Sequence, residues 1–214
     1  MKPTCCLLLL LAALSMPGYG QEPLSAYLFD DYHDAVVYFR DGRKSAEKVN
    51  YNLVESALYF IDKRDGQVKV VSNYQAIDSL IIARRTFLLD GNTALEKVSP
   101  APIVYIRFNA SSKYKPQAIG YGLSSELASV DAYSSASFQG IRTDLQGKER
   151  EVSKISHDYI IEKSGKRSRF SNFKQLYRIY TGHRETLEQY VAQHELDFND
   201  VAGMIALCRY AESL

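Results

Sequence analysis

Between Ala35 and Phe108 the chain is interrupted too often to hold a long helix. Short apolar runs recur at intervals of roughly ten residues and are separated by polar turns. The first run, Ala35 to Phe39, meets the turn "RDG" at Arg40 to Gly42. A second, "LVESALYFI" (Leu53 to Ile61), is followed by "DKRDG" and then by "QVKVV" (Gln67 to Val71). Two apolar segments around a loop ending Asp-Gly predict a hairpin, because Gly66 takes a positive φ without a Cβ clash. "QVKVV" begins by alternating, as a strand with one wet face does. Nothing in residues 49 to 71 requires chemistry, and the stretch reads as scaffold.

The same signals predict strands over Ser79 to Leu89, Thr93 to Ser99 and Ala101 to Phe108, with a turn at Leu89 to Asn92. A last hairpin is expected from "HDYIIEK" (His157 to Lys163), "SGK" and "RSRF" (Arg167 to Phe170). No helix-length apolar stripe separates the early strands, which argues against a parallel βαβ fold. The expectation is an antiparallel sheet, as a sandwich or an open barrel.

From residue 171 the period changes. Phe173, Leu176, Tyr177 and Tyr180 fall at i, i+3, i+4 and i+7, one helical face. Ser171 is the expected N-cap. Leu187, Tyr190 and Val191 mark a second helix, and Val201, Met204, Ile205 and Cys208 a third, capped by Asp197 or Asn199. The fold class is therefore α+β: a β-rich domain over 21–170 with a small helical unit over 171–214 packed on it. Cys208, on an apolar stripe, reads as a buried small hydrophobe rather than a nucleophile.

The first residues have another character. Lys2 precedes the apolar run Cys5 to Leu14, and small residues follow at Gly18 and Gly20. This is the pattern of a secretory signal peptide over 1–20, with cleavage expected after Gly20. The run is well short of the ~20 apolar residues of a membrane-spanning helix. Cys5 and Cys6 stand at the start of the run and not after it, which argues against lipidation at its end. The chain carries 26 Lys and Arg against 25 Asp and Glu, and cleavage would remove Lys2 and equalise them. A neutral chain does not suggest nucleic acid or an anionic membrane surface, which favour a basic excess. Of the three cysteines only Cys208 would remain, so no intramolecular disulfide is expected.

Several motifs invite chemistry and are weighed against plainer readings. "DDYHD" (Asp30 to Asp34) holds three carboxylates and a histidine but no glycine-centred calcium loop, and reads as a solvated leader. His194 and Glu195 fall short of a zinc-protease motif, because Phe198 stands where a second histidine is needed. "GYGLSS" (Gly120 to Ser125) lacks the Gly-Lys-Ser/Thr ending of a phosphate loop. "KSGKRSR" (Lys163 to Arg169) reads as a solvated basic tip. From Ala110 to Gly140 the chain is rich in Ser, Tyr, Gly and Ala, and loops of that size in compact domains are usually functional or disordered. Within it Lys113, Tyr114, Lys115 and Tyr121 are the candidate binding residues, with aromatic rings flanked by cations. No catalytic residue, metal site or cofactor is expected.

Three segments together are familiar. They are "NYNLVESALYFID", "KYKPQAIGYGLSSELASVDAYSS" and the tail "FSNFKQLYRIYTGHRETLEQYVAQHELDFND" with "ALCRYAE". The combination resembles a family of exported proteins of Bacteroidetes with no assigned activity. That resemblance implies a β-rich N-terminal region, a Tyr/Ser-rich loop, a helical tail and a place in the periplasm or cell envelope of a Gram-negative cell. It carries over no site residues. The expected function is a non-catalytic envelope protein that binds a partner protein or a small ligand, with no transmembrane segment after signal cleavage. The alternative is a secreted hydrolase using His33 or His157 beside a carboxylate and a nucleophile. A third reading has the helical tail docking another copy, for which an exposed apolar face would be the cue.

Overall fold

The computed structural model describes residues 24–91, 93–114, 118–119, 123–124 and 150–214. In the first strand, β1 (His33–Phe39), Ala35 and Val37 are buried while Asp34 and Val36 are exposed. That period of two is a strand with one covered face. The others follow as β2 (Lys44–Asn52), β3 (Ala57–Ile61), β4 (Val68–Val70), β5 (Ile77–Ile82), β6 (Arg85–Asp90), β7 (Thr93–Pro100) and β8 (Ile103–Tyr114). After the small pair β9 (Ala118–Ile119) and β10 (Leu123–Ser124) come β11 (Arg150–Lys163) and β12 (Lys166–Phe170).

Ten of these strands form one antiparallel sheet in the order β12-β11-β8-β7-β6-β5-β1-β2-β3-β4, open rather than closed. The helices α1 (Phe173–Ile179), α2 (Arg184–Gln193) and α3 (Val201–Glu212) complete an α+β fold. Among the described residues no helix is long and apolar enough to cross a membrane.

Several boundaries differ from the sequence reading. β8 runs on to Tyr114, so Ala110 to Tyr114 are strand rather than the start of the expected loop, and β11 begins at Arg150 rather than His157, because the two strands pair along their whole length. Residues 79 to 89 are two strands, because Ala83 (φ 47°) and Arg84 (φ 68°) make a left-handed two-residue turn without glycine. Leu53 to Ser56 are a turn, closed by Asn52 Oδ1 accepting from the Val54 and Glu55 amides at 3.0 Å each. The strand before it, β2, holds Asn50 and Asn52 buried where an apolar pattern would be sought. The expected hairpin around "DKRDG" is present as β3 and β4, with Tyr59 to Ile61 paired to Val70 to Val68. Gly66 there has φ 70°.

One sheet face is covered in two ways. In the first half, the sheet curls until β3 comes alongside β7 without pairing to it. Val49, Tyr51, Leu58, Leu80, Ile82 and Phe87 bury against each other inside the curl. In the second half, Val104, Ile106, Tyr159 and Ile161 of the same face are covered by Leu176, Leu187, Met204 and Leu207 of the helices. Phe108 packs against both clusters. Burying a side chain of this size contributes about 1.5–3 kcal/mol.

The helix caps are Asn172 and Asp200, each one residue further along than a cap expected from the sequence. Asn172 Oδ1 accepts from the Gln175 amide at 3.0 Å, and Asp200 Oδ1 from Ala202 at 3.0 Å. The Ser171 amide instead donates to Gln175 Oε1 at 2.7 Å, and Asp197 closes a turn by accepting from the Asn199 amide at 2.9 Å. Cys208 is buried on α3, and burial pushes its thiol up to about 12.

Candidate functional site

The outer face of the first half, away from the curl, is where side chains from several strands meet solvent together. It is organised by Asn50. Its side chain is 2% exposed and holds the segment preceding β1. Asn50 Nδ2 donates to the Phe29 carbonyl at 3.0 Å and the Asp31 carbonyl at 2.9 Å, while Oδ1 accepts from the Phe29 amide at 3.3 Å. Residues 29–31 thus gain the partners that a regular strand would have found in a neighbour.

Just before that segment, the Leu28 amide donates to the Tyr51 carbonyl at 2.9 Å and the Leu53 amide to the Ala26 carbonyl at 2.7 Å, and this pairing with the end of β2 brings three tyrosines together. Tyr27 lies 6.1 Å from both Tyr32 and Tyr59, ring centre to ring centre. The Tyr59 hydroxyl donates to the Glu55 carboxylate. Burial first, then these polar neighbours, raises the Tyr32 and Tyr59 hydroxyls above the usual tyrosine range.

Beside the trio the same face carries an apolar depression of about 530 Å³. Register explains its floor. Val36 pairs with Ile81 on one side and with Ala46 on the other, and Ile61 pairs with Lys48 two residues along β2. Ile81, Val36, Ala46 and Ile61 therefore sit on four adjacent strands and point the same way. Val36, at the centre, is 38% exposed. The rim is charged. Lys48 Nζ pairs with Asp34 Oδ1 at 3.3 Å, and Lys63 Nζ with Glu47 Oε2 at 3.6 Å. Arg84, raised on its turn, is exposed and has no hydrogen-bond or ion-pair partner among the described residues. Such a floor and rim suit an aliphatic body with a polar end.

The residues singled out from sequence fall elsewhere. Lys113 is exposed near the end of β8, and the backbone of Tyr114 closes that strand opposite Arg150. Lys115 and Tyr121 lie outside the described residues. The basic tip is largely committed to carboxylates. Lys163 pairs with Glu212 at 3.4 Å, Arg167 with Glu162 at 2.9 Å and Arg169 with Asp158 at 2.7 Å.

The two histidines considered for hydrolysis have different surroundings. His33 Nε2 lies 3.1 Å from Asp30 Oδ1, but the Asp30 side chain is 93% exposed. His157 is half-buried beneath the tail. Its Nε2 lies 3.0 Å from the Tyr159 hydroxyl, which itself donates to the Phe198 carbonyl at 3.1 Å. Its ring stacks on Phe198 with centres 6.5 Å apart, and burial lowers its pKa. Neither histidine lines the depression. Among the described residues no group of three or more His, Cys, Asp or Glu is placed to hold a metal ion.

Deeper in the curl, Arg85 is clamped by Glu96 through two contacts of 2.6 and 2.5 Å. It lies 5.1 Å from the Phe29 ring centre and 5.6 Å from those of Phe87 and Phe108. With its charge neutralised and its faces covered, this guanidinium joins the two halves of the core rather than offering a binding group.

Comparison with known proteins found no matching family model, curated protein or solved structure.

Proposed function

We propose that the chain is an exported binding protein of the cell envelope of a Gram-negative bacterium, and that it takes its ligand on the outer face of the first half of the sheet. The observation that carries the binding reading is the depression. Four aliphatic side chains from four hydrogen-bonded strands form a fixed floor, with charged side chains around it. A floor built on paired strands is preformed, so little ordering cost attends binding. Export is supported by the signal-like run from Cys5 to Leu14 behind Lys2, and by the resemblance to exported proteins of Bacteroidetes.

Two measurements test this. Fractionation of cells expressing the full-length sequence should place the protein in the envelope or periplasm with Gln21 as its first residue. A cytoplasmic, uncut protein would end the export reading. Affinity capture from an envelope extract, followed by mass spectrometry of proteins and small molecules, should show a species retained by the wild type and lost from Val36→Asp. Identical retained species from the two proteins would end the outer-face reading.

A further inference from the structure

Resting on that reading of the outer face, we propose that its occupant is a single-chain amphiphile with a carboxylate head, an alkanoate lying across the strands with its head on Arg84. The floor runs over three strand spacings of about 4.8 Å, roughly 14 Å in all. Ile81 stands at one end and Ile61 at the other, with Val36 and Ala46 between them. That is the shape of an extended alkyl chain, long in one direction and narrow in the other.

The head is chosen by charge. Lys48 has Asp34 beside it at 3.3 Å and Lys63 has Glu47 at 3.6 Å. Among the described residues Arg84 has no such partner, on the turn that directly follows Ile81 and Ile82. A guanidinium presents paired N–H donors in a plane, and a carboxylate accepts them through two oxygens. Asp34 stands on the same face as Val36, so a dianionic head would meet like charge there. A cationic head would be repelled by Arg84, and a neutral one would leave it unpaired. One negative charge on a flat head is what the rim accepts.

Titration calorimetry of the protein expressed from its full-length sequence, with dodecanoate kept below its micelle concentration, tests this. The expected result is saturable one-site binding. Arg84→Gln should weaken it about tenfold, about 1.4 kcal/mol. Arg84→Lys, which keeps the charge but loses the fork, should fall in between. Val36→Asp should abolish binding, with circular dichroism confirming that this exposed position leaves the fold intact. Dodecyltrimethylammonium should not bind. The proposal is overturned by unsaturable association, by equal binding of the cationic amphiphile, or by dodecanoate affinity that neither Arg84→Gln nor Val36→Asp changes. If dodecanoate fails while the envelope capture still yields a species lost from Val36→Asp, the alkanoate is wrong and the outer-face site stands.

Discussion

The two halves of the sheet bury the same face by different means, and the difference decides which surface is left for function. The second half borrows its cover from sequence-distant helices: Leu176, Leu187, Met204 and Leu207 close over Val104, Ile106 and Ile161. Among the described residues no α-helix covers the first half, which bends until Tyr51, Leu58 and Phe87 cover one another, with Tyr74 of a short 3-10 turn beside them. A sheet that curls to bury its inner face turns its outer face outward across several strands at once. The depression with Val36 at its centre is on that face. In the second half, the corresponding outer face carries Leu95, Tyr105 and Ile160, all buried, beside the ion pairs of Arg167 and Arg169.

The most damaging way to probe this contrast is to open a hole in each half. Phe87→Ala removes a fully buried ring from the curl and should cost about 3–5 kcal/mol. Met204→Ala empties the helical side and should cost about 2–5 kcal/mol. Denaturant melts followed by circular dichroism and by tyrosine fluorescence should show one shared transition in both variants, because the sheet is continuous and Phe108 touches both clusters. An early separate transition in Met204→Ala alone would mean that the halves fold independently.

A smaller change sharpens the role of the anchored segment. Asn50→Ala deprives the backbone of residues 29–31 of its partners and should cost about 1–3 kcal/mol. Proteolysis near Tyr27 to Tyr32 should accelerate in step with that loss. An unchanged cutting rate would show that the backbone pairing of residues 26–28 with β2 holds the segment without Asn50.

The smallest expected effect belongs to the second half and depends on pH. His157 has its pKa lowered by burial from an unfolded value of 6.5. The unfolded chain therefore binds the proton first as pH falls. Stability is full above about pH 6.5 and declines as pH drops through the lower folded pKa. His157→Phe should flatten that part of the pH–stability curve, and equal slopes in the two proteins would place the acid sensitivity elsewhere.

Most strands were legible in the sequence because their inward residues are apolar and their ends carry Asp-Gly turns. β2 was not, because Ser45 and Glu47 share a face with Val49, and Asn50 is buried to serve a distant backbone. The turn at Ala83 and Arg84 was hidden for another reason: residues with no special preference for left-handed backbone occupy it. The depression was illegible in principle. Val36, Ala46, Ile61 and Ile81 are unremarkable singly, and only the register of three ladders sets them side by side. The tyrosine trio required knowing that residues 26–28 pair with the end of β2, which sets Tyr27 beside Tyr59.

The long ladder between β8 and β11 has a consequence for how such a chain can vary. Twelve residue pairs, from Ile103 with Glu162 to Tyr114 with Arg150, fix the register of these strands. The stretch from 115 to 149 joins them. A one-residue insertion inside either strand would slip this ladder and turn every side chain beyond it to the opposite face. The same holds for β1, β2 and β5, where a slip would break the pairs that build the floor. Length changes are therefore tolerated between these strands and not within them.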